Sequence, residues 1–262
     1  MPIPIFNHKG RIYAFKLLLE SILSPFKGVT FPIIWMTDQA VSMATPLKDF
    51  SYTVCYYTEM NFNSNDNPCN DTNRISVVLI VVISALSYRI IQCIRQGYDK
   101  GEYFCTPFFF NTLKYVASLI TTVLAFEYKL IGTRILPAWL LFAGISTIYS
   151  YIWDIKMDWG LLQKNDRHPC LRKYLTFEPQ RNYYIICVSN LLMRLAWIMT
   201  LSPSIASFSG NANIFTLLTG MIEILRRGIW NLLRVEKEHL QNCGDFKAVP
   251  DTTKIENKLT RA

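Results

Sequence analysis

The stretch Asn213-Ile-Phe-Thr-Leu-Leu-Thr-Gly-Met-Ile-Glu-Ile-Leu-Arg-Arg-Gly-Ile-Trp-Asn-Leu-Leu-Arg234 decides how this chain is read. It is long and apolar enough to cross a bilayer, whose ~30 Å hydrocarbon core takes about 20 residues of helix. Near its middle it carries Glu223, Arg226 and Arg227. A charge at the centre of a membrane helix costs about 2.5–3.5 kcal/mol on insertion scales. Glu223 precedes Arg226 and Arg227 by one helical turn, so pairing along one face offsets part of that cost. One acid does not neutralise two guanidiniums, and the segment keeps a positive surplus. Two readings compete: the span is shifted and the arginines are cytoplasmic anchors, or they form a site for an anion.

The rest of the composition places this stretch in context. Of 262 residues 51% are hydrophobic and only 18% charged, against about 25% charged in soluble domains. With long apolar runs, this indicates an all-α, polytopic membrane helical bundle. The net charge of +8 does not require nucleic acid, because basic residues collect in cytoplasmic loops and at anionic lipid surfaces. There is no Gly-rich phosphate loop, RNA-binding aromatic signature or zinc-finger spacing, so the lipid bilayer and not nucleic acid is the expected surrounding partner. The cysteines Cys55, Cys69, Cys93, Cys105, Cys170, Cys187 and Cys243 are scattered, with no CxxC pair. No metal site, cofactor or disulfide framework is implied, although a Cys55–Cys69 bridge is conceivable. Lys9, Arg11 and Lys16 interrupt the first apolar stretch, and no cleavable signal peptide is read there.

Residues 1–28 read as an amphipathic basic lead-in, with Phe15, Leu18, Leu19 and Ile22 at helical spacing, suited to lie on the inner membrane surface. Residues 29–234 read as the membrane domain. Its first segment, 29–57, is broken by Pro32 and Pro46 and contains Asp38; broken helices at membrane depth are tolerated where they line a cavity. Further spans are expected at 75–94, 108–131, 135–153, 183–203 and 214–234, about six in all. Residues 235–262 read as a soluble, charged cytoplasmic tail.

Charge asymmetry orients the spans. Lys9, Arg11, Lys16 and Lys27 precede them, Arg95 and Lys100 follow the second, and Lys164, Arg167, Arg172, Lys173 and Arg181 crowd the loop at 160–182. The opposite loops hold only Arg74, Lys129 and Arg134. Both termini are therefore expected to be cytoplasmic. The triplet Asn70-Asp-Thr72, a glycosylation acceptor pattern, then falls outside.

The charges expected within the membrane are Asp38, Lys114, Arg194, Glu223, Arg226 and Arg227, with Asp154 and Asp158 at the inner end of the fourth span. Asp154 and Asp158 stand at i, i+4 and would share one face of an α-helix; the alternative is a solvated helix end. Lys114 lines the interior or snorkels outward. Arg194 stands within Leu191-Leu-Met-Arg-Leu-Ala-Trp-Ile-Met-Thr200, away from either end of its span. Arginine suits an oxyanion because its planar fork binds two oxygens at once and keeps its proton. Lys114 adds a point charge and Tyr115 a hydroxyl. The acids matter too, since bare arginines would hold an anion too tightly to release it. The expected chemistry is passage of an oxyanion with no bond made or broken. His8, His168 and His239 lie outside the spans and no nucleophile or metal constellation stands out, so an enzyme is not expected.

Several runs resemble the EXS family, the membrane domain of xenotropic and polytropic retrovirus receptor-type phosphate exporters. They are Tyr149-Ser-Tyr-Ile-Trp-Asp-Ile-Lys-Met-Asp-Trp-Gly160, Leu192-Met-Arg-Leu-Ala-Trp197, Glu223-Ile-Leu-Arg-Arg-Gly-Ile-Trp-Asn231 and Arg234-Val-Glu-Lys-Glu-His-Leu-Gln-Asn-Cys-Gly-Asp-Phe-Lys-Ala-Val249. Weaker similarity reaches back through Lys114-Tyr115, Arg89-Ile-Ile-Gln-Cys93 and Trp35-Met-Thr-Asp-Gln39. The resemblance implies export of inorganic phosphate, with pathway positions at Asp38, Lys114, Tyr115, Asp154, Asp158, Arg194, Trp197, Glu223, Arg226 and Arg227. It implies a plasma-membrane or Golgi location. Export fits the driving force, since at an inside-negative ~60 mV each negative charge leaving gains roughly 1.4 kcal/mol. The soluble SPX domain and the dimer-forming helices usual in the family are not recognised in this sequence, so a homodimer stays open. The competing expectation is a non-transporting or Golgi EXS protein that acts through partners or in luminal phosphate recycling.

Overall fold

A computed structural model describes residues 7–43, 72–102, 106–163, 168–172, 174–201 and 212–246, with a few isolated positions between. Among these residues the structure is helical and holds no strand. The principal helices are α1 (His8–Leu23), α2 (Phe31–Ser42), α3 (Thr72–Lys100), α4 (Pro107–Ile131), α5 (Leu136–Trp153), α6 (Arg181–Arg194) and α7 (Ala212–Phe246). Asn70, Cys55, Cys69 and the residues after Phe246 lie outside the described residues.

Local chemistry explains the helix ends. The Asn7 side chain accepts from the Gly10 N–H at 3.2 Å and starts α1. Thr106 accepts from the Phe109 N–H at 3.4 Å, with Pro107 in the first turn of α4, where the missing proline N–H removes no helical bond. Gly132, at φ 85°, stops α4 in a conformation that favours glycine.

Two segments are long and apolar enough to cross a membrane, Pro107–Tyr128 and Thr133–Asp158. Helix α2 has 12 residues, about 18 Å at 1.5 Å per residue, so within 29–57 it is shorter than a bilayer core; residues 44–49 after it are outside the described set. The fifth expected span changes character midway: α6 ends at Arg194 and a 3-10 helix runs Leu195–Leu201. The fourth does not end at Trp153 but continues into a π-helical turn, Asp154–Asp158. The sixth runs on unbroken to Phe246, so the tail expected from residue 235 begins as helix.

The burial pattern is inverted relative to a water-soluble protein. Among the described residues, the buried set contains as many polar or charged side chains as apolar ones, including Asp38, Arg89, Gln92, Lys114, Asp154, Asn190 and Arg226. Phe15, Leu18, Leu19 and Ile22 of α1 are exposed while Ser21 and Ser24 are buried. In water, exposing that much apolar surface is unfavourable by roughly 25 cal/mol per Å2; against lipid tails it costs nothing. Among the described residues the protein is all-helical, and its exposed apolar surface with buried polar and charged side chains is that of an integral membrane protein.

By backbone contacts the chain divides into two compact units. Unit 1 comprises Met1–Ser150 with Trp197–Ile224, and unit 2 comprises Tyr151–Ala196 with Leu225–Ala262. In unit 1, Leu86, Cys93 and Tyr115 form an apolar centre with Val41, Val82, Ile90 and Leu119 packed on it. Helices α4 and α5 are tied by a hydroxyl contact between Ser118 and Ser146 at 3.1 Å and by Tyr149 donating to the Phe110 carbonyl at 2.7 Å.

Candidate functional site

In unit 2, donors from two helices converge on the carboxylate of Asp154. Asp154 opens the π-turn and is buried. A π-turn inserts a residue into the helical ladder and re-aims the side chains around it. The i, i+4 expectation for Asp154 and Asp158 presumes α-helical rotation, which the backbone there does not have. The Oδ2 atom of Asp154 accepts from Asn190 Nδ2 at 3.1 Å and from Arg194 Nε at 3.0 Å, with Arg194 Nη2 also on it. Arg226 Nη1 pairs with the same oxygen at 3.9 Å. The other oxygen, Oδ1, accepts from Trp230 Nε1 at 3.2 Å.

Sequence spacing explains the convergence. Asn190 and Arg194 stand one turn apart on α6, and Arg226 and Trp230 one turn apart on α7, so each helix presents two donors from one face. A solvated helix end is ruled out for Asp154, at 3% exposure, and so is surface anchoring for Arg226, at 4%. The Arg227 guanidinium lies over the Trp230 ring at 4.5 Å, within the range of a cation–π attraction. Two guanidiniums and one carboxylate leave the Asp154–Arg194–Arg226 trio at net +1 (2 − 1). Asp158 is half-buried at the far end of the turn, and its carbonyl accepts from Arg234 Nη1 at 3.5 Å.

Unit 1 holds a second polar centre. Asp38 of α2 pairs with Arg89 Nη2 of α3 at 3.0 Å and accepts from the Tyr115 hydroxyl of α4 at 2.8 Å. Arg89 Nε donates back to that hydroxyl at 3.1 Å, closing a three-membered ring of contacts. Arg89 Nη1 donates to Gln92 Oε1 at 2.6 Å, and Gln92 Nε2 donates to Ser24 Oγ at 2.5 Å and Thr37 Oγ1 at 3.0 Å. Gln92 thereby joins α2, α3 and the end of α1. Lys114 does not snorkel outward: it is buried, with its ammonium 4.4 Å from the centre of the Tyr115 ring.

The sequence-derived site residues thus fall into two groups. Asp38, Lys114 and Tyr115 meet in unit 1; Asp154, Arg194 and Arg226 meet in unit 2, with Arg227 on Trp230. Trp197 donates to Thr147 Oγ1 at 3.1 Å, and its ring is 6.2 Å from that of Trp139. Glu223 is half-buried on α7.

Reasoning from sequence did not single out Arg89, Gln92, Asn190 and Trp230. Arg89, within the span expected at 75–94, is 1% exposed and central. A signal was present: Leu86, Arg89, Gln92 and Cys93 recur at helical spacing, so Arg89 and Gln92 share a face with Leu86 and Cys93 in an expected span, and that face must meet protein.

The family model described as EXS family matches residues 1–240. The chain is 32% identical over 269 residues to "Solute carrier family 53 member 1" of Cricetulus griseus, covering 95% of this chain and 38% of that protein. It is 31% identical over 267 residues to "Xenotropic and polytropic retrovirus receptor 1 homolog" of Xenopus laevis, with the same coverage. "Phosphate transporter PHO1 homolog 8" of Arabidopsis thaliana is 32% identical over 251 residues, 94% of this chain and 32% of the plant protein. The chain thus spans about two fifths of the length of the first two relatives and a third of the last.

Proposed function

The chain belongs to the EXS family, and on that premise we propose that it exports inorganic phosphate across a membrane. Six crossings with both ends cytoplasmic carry the pathway. The ion passes in turn among Arg226, Arg227, Arg194 and Lys114, with Tyr115 as a neutral donor. Asp38, Asp154, Asp158 and Glu223 moderate the charge, and Trp197 bounds the route. No covalent chemistry is involved.

The observation that supports this most is the convergence of Arg194 and Arg226 on Asp154 Oδ2. Asp154 pairs with both guanidinium groups. A phosphate oxygen offers the Arg194 hydrogen bonds and the Arg226 ion pair the same kind of anionic acceptor as a carboxylate oxygen, so the ion takes its place and the arginines exchange partners. When phosphate leaves, Asp154 takes the arginines back, and binding stays weak enough for release. The name of the plant relative, a phosphate transporter, points to the same substrate.

The test is efflux of labelled phosphate from vesicles containing the purified chain. Losing hydrogen bonds to a charged group, about 1.5–3 kcal/mol, corresponds to roughly a 10- to 100-fold loss of flux in Arg194→Ala and in Arg226→Ala. Wild-type flux in both variants would remove the assigned pathway. Imaging a tagged chain distinguishes export from the cell at the plasma membrane from movement across the Golgi membrane.

A further inference from the structure

Unit 2 also carries an open cavity of about 300 Å3, lined mainly by Gly160, Gln163, Arg172, Tyr174, Lys237 and Gln241. Two of these side chains are cations, two are amides and one is a phenol; among the described residues no carboxylate lines the cavity. None of them takes part in the Asp154 cluster.

The two cations are held differently. Arg172 is buried, donates to the Trp159 carbonyl at 2.8 Å and pairs with Glu236, so its charge is matched and its plane is fixed. Glu236 is itself locked by the Tyr183 hydroxyl at 2.5 Å and the Thr176 N–H at 2.7 Å. The Lys237 ammonium instead donates to a neutral group, the Met157 carbonyl. Burial, then the nearby Arg234, lowers its proton affinity below the ordinary lysine range; Arg172 adds to this, and Asp158 and Glu238 oppose it.

Glycine at position 160 makes this placement available. Its φ of 66° suits glycine, and a Cβ there would stand 3.3 Å from both Cδ and Cε of Lys237. The lysine stem lies against bare backbone, which aims its head. Gln163 is held from the same turn, donating to the Gly160 carbonyl at 2.9 Å.

We infer that this cavity binds a small phosphomonoester, with Lys237 supplying the charge that meets the phosphoryl oxygens and Gln163, Gln241 and Tyr174 supplying neutral donors. A tetrahedral dianion offers acceptors in several directions, and this lining offers donors from several directions. The volume is at the lower end of small-molecule sites, about 300–1,000 Å3, enough for a phosphoryl group with a three-carbon stem. The lining charge disfavours a cation, and among the described residues Leu240 is its only aliphatic side chain, which disfavours an apolar ligand. The same chemistry comes from two sources, a soluble phosphomonoester or the headgroup of phosphatidic acid. This inference stands independently of phosphate export.

The test is titration calorimetry of the full chain with glycerol 3-phosphate, in nanodiscs of phosphatidylcholine with and without phosphatidic acid. Saturable binding is expected. Lys237→Gln keeps the stem over Gly160 and Gln241→Glu adds an opposing charge at an exposed position. Each is expected to weaken binding about tenfold or more, while Arg194→Ala leaves it unchanged. Competition by phosphatidic acid assigns the lipid as the natural source, and binding that phosphatidic acid does not disturb assigns a soluble one. No saturable binding, or wild-type affinity in both Lys237→Gln and Gln241→Glu, overturns the site.

Discussion

Trp230 Nε1 donates to Asp154 Oδ1 at 3.2 Å, on the oxygen opposite the one that Arg194 and Arg226 share. The indole holds the carboxylate through its other oxygen. The two arginines then meet an acceptor whose orientation is also fixed by the Trp230 indole and the Asn190 amide.

Trp230→Phe therefore removes one donor while keeping an aromatic ring beneath Arg227. Loss of a hydrogen bond to a buried charged group is expected to cost about 1.5–3 kcal/mol. Denaturant titration in detergent measures it. An unchanged midpoint would show that Asp154 does not need the indole.

Asp154→Asn keeps the shape and an acceptor oxygen but removes the charge that offsets the arginines. The local net charge rises from +1 to +2, since the one carboxylate of the trio is neutralised. Phosphate is expected to bind more tightly and to leave more slowly, lowering both KM and maximal flux in vesicle efflux assays. A raised KM at full flux would contradict the role given to this acid.

Gln92→Leu leaves Arg89 Nη1, Ser24 Oγ and Thr37 Oγ1 without the amide that links them. An unsatisfied buried polar group costs about 1–3 kcal/mol, and the thermal midpoint in detergent is expected to fall accordingly. Gln92→Glu retains an acceptor for Arg89 and is expected to lose less. Equal midpoints for both variants and wild type would mean that Arg89 is positioned without it.

Lys237 predicts a pH dependence of stability. Its proton affinity is lowered in the folded chain, whereas the unfolded chain keeps the ordinary lysine value of about 10.4. Below the lowered value both states are protonated and the full penalty for holding the charge applies. Between the two values the unfolded state binds more protons, so stability rises with pH across that window. Wild type should gain stability relative to Lys237→Met as pH approaches 10. A parallel profile for the two proteins would show that the shift is absent.

The helical, membrane-embedded character of the chain was legible from local composition. Hydropathy adds up over about 20 neighbouring residues, so 108–131 and 135–153 could be read without knowing what they touch. The residue types of the charge cluster were legible for a related reason. An arginine such as Arg194 amid apolar side chains is too costly to face lipid, so its inward orientation follows from one dimension.

Partner choice was not legible, because it depends on helices far apart in the chain. Nothing local says that Asp154 takes Arg194, Arg226 and Trp230, or that Arg89 takes Asp38. The π-turn at Asp154 and the change to a 3-10 helix after Arg194 were hidden for the same reason. Backbone propensities differ among such turns by too little to select one, so packing and hydrogen bonding across helices selects it. The charged groups and their enclosure follow from composition along the chain, whereas the pairing of each acid with its cations follows from helices meeting in space, where a few ångströms separate a strong ion pair from a weak one.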